Sequence, residues 1–147
     1  MKLLSLLTTL LLLFSVPCFG SDMVSVVTDS ATLYSSPEPS AYNQILEMPL
    51  FYPLQVVQDR GNFLEVTDYR NRIGWVSKDL VDDVRAVIIT VGTGNIRNGP
   101  STSAALLFHA DRGVTFKVLT KKEDWYQLRH ESGSEGWAHK SLLWGAM

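Results

Sequence analysis

The chain has 147 residues, 46% of them hydrophobic, with 13 Lys/Arg against 15 Asp/Glu and one Cys. A net charge of −2 argues against a general nucleic-acid binder, which presents a strongly basic face. A single cysteine excludes an internal disulfide framework.

The first element is the stretch 1–20. Lys2 precedes an apolar and hydroxylic run from Leu3 to Val16, and the small-residue segment "PCFGS" follows. A positive start, a short apolar stretch and a small-residue exit predict a secretory signal peptide, cleaved after Gly20. The run is shorter than the roughly 20 residues of a comfortable membrane span. Lipid attachment at Cys18 is the lesser alternative, because Pro17 stands where a lipoprotein signal wants a small residue. The expected location is periplasmic or secreted, with no membrane span once the signal is gone. The remaining chain then has no cysteine, hence no thiol nucleophile, and carries 12 basic against 15 acidic residues.

Beyond the signal the sequence repeats itself. "GWVSKDL" at 74–80 returns as "GWAHKSL" at 136–142, 62 positions later. Leu33 and Pro37 align with Ile96 and Pro100 at an offset of 63; after a one-residue slip Val56 meets Val118, Phe63 meets Trp125 and Val66 meets Leu128. A shared spacing over such a length predicts two tandem copies of one unit, residues 24–81 and 87–144. The copies differ in charge: residues 26–81 hold seven acidic and four basic residues, residues 88–143 five and seven. Between them "VDDVRAV" contains no Gly or Pro, so the two units are expected in a restricted orientation.

Within each copy the pattern is that of short strands. "LQVV" and "TFKVL" are rich in strand formers, and "NFLEVTDY" and "DWYQLRHE" alternate with period two. Leu64 and Val66, like Tyr126 and Leu128, share the buried face, and polar loops lead into the Gly-Trp strand as in a hairpin. No helical period persists, and Pro37, Pro39, Pro49 and Pro53 would break one in the first copy. The expected fold is all-β, with one small barrel per copy. In the Gly-Trp strand we expect Gly to let the backbone pass close to a neighbour and Trp to supply a large share of the small core.

The segments "NIRNGPSTS" and "GVTFKVLTKKEDWYQLRHESGSEGWAHKSLL" resemble a bacterial SH3 domain (SH3b) nearly throughout. The first copy resembles it in its second half and departs at "TLYSSPEPS", where Tyr34 and Ser36 replace Arg97 and Gly99. The resemblance implies two SH3-like barrels in tandem, and modules that target cell-wall peptides or serve wall-lytic enzymes as accessory domains.

Nothing in the composition points to catalysis. His109, His130 and His139 lie at no metal-ligand spacing, no G-x-S-x-G elbow is present, and Gly92-x-Gly94 is not followed by a helix. No catalytic residue, metal or cofactor is expected. What remains is surface aromatic character. Trp125 shares a face with Gln127 and Arg129, opposite the core positions. With Arg97 and His139 it predicts an aromatic and basic strip suited to an extended peptide bearing carboxylates. The first copy offers Phe63 and Tyr34 at the matching positions, with Thr67 and Ser77 in place of Arg129 and His139, and so a different ligand preference. The expected partner is a peptidoglycan stem peptide or an extended segment of an envelope protein. Alternatives are a structural subunit of an envelope complex with no ligand groove, and a hydrolase with a non-thiol nucleophile.

Overall fold

The computed structural model describes residues 22–147. The expected signal peptide, with Cys18, lies outside the described residues.

The described chain is all-β. The first seven strands are β1 (Met23–Val26), β2 (Ser30–Tyr34), β3 (Gln44–Pro49), β4 (Pro53–Arg60), β5 (Phe63–Thr67), β6 (Ile73–Ser77) and β7 (Val81–Asp82). The next seven are β8 (Ala86–Ile89), β9 (Thr93–Arg97), β10 (Leu106–Asp111), β11 (Thr115–Lys122), β12 (Trp125–Arg129), β13 (Glu135–His139) and β14 (Leu143–Gly145). A 3-10 turn follows β6 at Lys78–Leu80 and β13 at Lys140–Leu142, so "KDL" and "KSL" are the same device used twice.

Two antiparallel sheets result, ordered β3-β2-β6-β5-β4-β1-β7 and β10-β9-β13-β12-β11-β8-β14. The second order is the first advanced by seven strands. Bulges recur at equivalent places, between Val56 and Gln58 and between Val118 and Thr120. Neither ladder closes on itself: β3 and β7, and likewise β10 and β14, are hydrogen-bonded on one side only.

Each half has its own core. Leu33, Met48, Leu54, Val66 and Val76 fill the first, and Ile96, Phe116, Tyr126, Leu128 and Ala138 the second. Alternation explains the selection, since Leu64 and Val66 are buried while Phe63, Glu65 and Thr67 on the other face are partly exposed. Strand β8 reads AVII and is buried along its whole length because both of its faces are covered. Val87 and Ile89 enter the second core, whereas Ile88 joins the first. Trp144 packs on the first core as well, and Thr115 Oγ1 donates to Leu50 O across the two halves at 2.7 Å.

The Gly-Trp strand needs a correction. Gly74 and Gly136 do face the core, and an added Cβ would stand 2.7 Å from Leu33 Cγ in the first copy and collide with Ile96 Cγ2 in the second. Only glycine lets β6 and β13 cross so closely. The tryptophans, however, point the other way. Val76 and Ala138, two residues on from the glycines, occupy the core face, so Trp75 and Trp137 take the opposite one, where Trp75 is nevertheless buried at 8% exposure and Trp137 is half-buried. The period of two sets the direction of both rings, and only Trp137 departs from the expected burial.

Candidate functional site: an aromatic and basic outer face

Cross-strand register arranges the outer face of the second sheet in rows. Lys122, Trp125 and His139 are directly opposed across β11, β12 and β13. The next row holds Thr120, Gln127, Trp137 and Arg97, and the third Lys117, Arg129 and Glu135. Alternate positions between the rows, Tyr126, Leu128 and Ala138, are buried. The strands thus place two tryptophans among four cationic side chains with Glu135 as the acidic exception.

Trp125 and His139 meet edge to face, with ring centroids 5.3 Å apart. His139 Nδ1 accepts from Ser141 N at 3.2 Å and lies 2.8 Å from Ser141 Oγ. This caps the 3-10 turn, fixes the ring, and leaves the proton on Nε2. Arg97 Nη1 donates to Ala104 O at 3.0 Å, which ties the guanidinium to the β9–β10 loop. Among the described residues Arg97 is in no ion pair, so its charge stays available. Asp124, at the β11–β12 turn, accepts from Lys140 Nζ at 3.0 Å, and that partner holds its carboxyl below the usual range.

Arg97, Trp125 and His139 line one open depression of about 290 Å³, with Asn95, Thr102 and Ser141 adding hydrogen-bonding groups. Three of the six residues expected from the sequence therefore converge. Arg129 does not join them: it sits two rows away, with Nε 2.6 Å from Glu135 Oε1. Phe63 and Tyr34 lie on the outer face of the other sheet, Phe63 opposite Ser77 and Tyr34 opposite Trp75. Sequence reasoning missed Trp137 and Lys122, although both lie on the polar face of their strands by simple alternation.

The arrangement offers aromatic faces, positive charge and hydrogen-bonding groups around one open depression. Among the described residues no group of three or more His, Cys, Asp or Glu is placed to hold a metal ion. No helix of the described residues is long and apolar enough to cross a membrane.

Residues 90–145 match the family model described as bacterial SH3 domain, which covers strands β9 to β14 of the second sheet and starts just after β8. No curated protein matches the chain. Among solved structures, NlpC2 from Trichomonas vaginalis is similar at 16% identity over 85% of this chain and 48% of that one, with a TM-score of 0.39. NlpC1 from the same organism gives 16% identity, 84% and 45% coverage, and a TM-score of 0.39. An NlpC/P60 family protein from Bacillus cereus gives 15% identity, 84% and 56% coverage, and a TM-score of 0.40. The chain spans about half the length of these structures.

Proposed function

We propose that the chain is an exported, non-enzymatic binding protein built of two bacterial SH3 units, the first a diverged copy of the second. It recognises peptide of the cell wall, or an extended envelope-protein segment, through the outer face of the second sheet. The observation that carries this reading is the convergence of Arg97, Trp125 and His139 on one open depression. Stacking on Trp125 suits the apolar part of a peptide, and the unpaired Arg97 suits a carboxylate. The matching face of the first sheet carries Phe63, Ser77, Tyr34 and Trp75 instead, with one basic residue, Arg60, and one acidic, Glu65. Export is supported by the residues of the first element, Lys2 and the apolar run Leu3–Val16.

Retention on purified peptidoglycan tests the reading. The intact chain is expected to sediment with the polymer, and Trp125→Ala to lose affinity about tenfold or more, as buried aromatic anchors do. Absence of retention together with recovery of a protein partner would move the ligand from wall peptide to an envelope protein. Equal retention of the Trp125→Ala variant would remove this face from the account.

A further inference from the structure

The two halves use one corner of the fold in opposite ways. In the first, Tyr52 Oη donates to Asp68 Oδ2 at 2.9 Å, Arg72 Nε donates to the same oxygen at 2.7 Å, and Arg72 Nη2 donates to Tyr52 Oη at 3.0 Å. Tyr52 is 4% exposed and Asp68 1%. The corner is packed shut by its own side chains.

Backbone hydrogen bonds fix which residues of the second half correspond. Tyr52 N donates to Pro49 O, and Val114 N to Asp111 O. Asp68 N donates to Arg72 O and Asn71 N to Asp68 O; His130 N donates to Ser134 O and Gly133 N to His130 O. Met48 opposes Ala31 on β2, and Ala110 opposes Gly94 on β9. Tyr52, Met48, Arg72 and Asp68 are therefore replaced by Val114, Ala110, Ser134 and His130. Three of these exchanges remove a large side chain, whereas Asp68 gives way to His130, and in the wall Leu46 and Leu54 give way to Phe108 and Phe116. An open pocket of about 340 Å³ stands there, with Phe108 and Phe116 in its wall beside Val114, His130 and Ser134.

What the first half places in this corner indicates what the second half takes from outside. The residue that seats the phenol in the first half is Val114 here, and position 68, to which the Tyr52 hydroxyl points, is His130. His130 Nδ1 accepts from Ser132 N at 3.2 Å, so Nε2 keeps its proton and is a donor. Its ring packs edge-on against Phe116, with centroids 5.6 Å apart. Ser134 stands where Arg72 donated to the phenol. Along the same pocket runs β10, which among the described residues is an edge strand paired with β9 alone, so that alternate backbone groups lack a strand partner there. An extended segment can add to such an edge and present one side chain inward.

We propose that this pocket is a second binding site, which takes a tyrosyl side chain of an extended partner segment lying along β10. The partner's phenol ring fills the place of Tyr52, its oxygen facing His130 and Ser134. The site is distinct from the Trp125 depression and stands whether or not that face binds cell wall.

Titration of the 15N-labelled chain with a blocked Thr-Tyr-Thr peptide and with its Thr-Ala-Thr twin is the test. The tyrosine peptide is expected to shift the amides of Phe108, Ala110, Phe116 and His130, and to bind at least tenfold more tightly than the alanine peptide. Val114→Tyr, which rebuilds the first half's own filling, is expected to abolish those shifts. Ala110→Met, the smaller refilling, does the same if Val114→Tyr fails to fold. Trp125→Ala leaves them unchanged. Equal binding of the two peptides, no shifts at millimolar tyrosine peptide, or undiminished affinity of the refilled variants overturns the proposal.

Discussion

The first and second halves share a strand order, yet they spend their polar residues differently. In the first, Trp75 is 8% exposed, with the Arg60 guanidinium 5.9 Å from its ring, and Tyr52, Asp68 and Arg72 seal the opposite corner. In the second, Trp125 and Trp137 remain half-exposed, and the same corner is open. At this corner the first half pairs its polar groups with one another, and the second leaves the space open.

That contrast can be broken by substitution. The largest effect is expected at Asp68, whose carboxylate accepts from Tyr52 Oη, Arg70 N, Arg72 N and Arg72 Nε. Asp68→Ala leaves these donors without their acceptor and is expected to lower stability by about 3–5 kcal/mol in urea unfolding. His130→Ala, at the matching turn of the open half, is expected to cost no more than about 1 kcal/mol. Comparable losses at the two positions would show that the corners are not energetically different.

Next come the glycines. Gly74→Ala and Gly136→Ala each force a Cβ against a neighbouring side chain and the carbonyl of Tyr34 or Arg97. Overpacking of this kind costs about 1–3 kcal/mol. A loss at one site but not the other would break the equivalence of β6 and β13.

Acidity sharpens the comparison further. Burial raises the Asp68 carboxyl, but the backbone N–H and guanidinium of Arg72 outweigh it and hold the group below its ordinary 3.8. The stabilisation is therefore complete above the unfolded value and is lost as pH falls through the lower folded one. For Tyr52, burial first and then the Asp68 carboxylate push the phenol above its ordinary 10.0. Its contribution is present below pH 10 and is lost as pH rises beyond it. Unfolding midpoints should decline below about pH 4 and above about pH 10, and Asp68→Asn should flatten the acid limb. An unchanged acid limb in that variant would assign the decline to other carboxylates.

The smallest effect belongs to Arg129. Its pairing with Glu135 is exposed, and such pairs contribute about 0–1 kcal/mol. Arg129→Ala is expected to leave stability within that range and to weaken peptidoglycan retention less than Arg97→Ala does. The reverse order would extend the binding face to the third row.

Much of this organisation is legible in the sequence. The repeat and the period-two alternation place Leu64, Val66, Tyr126 and Leu128 in the cores, and they single out Trp125 as an outward aromatic. The direction of Trp75 and Trp137 was legible too, because Val76 and Ala138 mark the core face; residue size outweighed period in the expectation. The open corner was not legible. It depends on Ala110, Val114, His130 and Ser134, which fall in two separate stretches of the chain, and each exchange is unremarkable until the register brings them together. Arg129 stands apart from the depression for a similar reason, since its pairing with Glu135 follows from strand register rather than from local spacing.

Where ligand meets the chain decides whether the two sheets differ in binding. Mapping amide shifts of the 15N-labelled chain on addition of a soluble peptidoglycan fragment is the most direct measurement. Perturbations centred on Arg97, Trp125 and His139, with Tyr34, Phe63 and Trp75 unmoved, are the predicted result. Shifts of equal size on both sheets, or shifts confined to the first, would contradict the division into a closed copy and an open one.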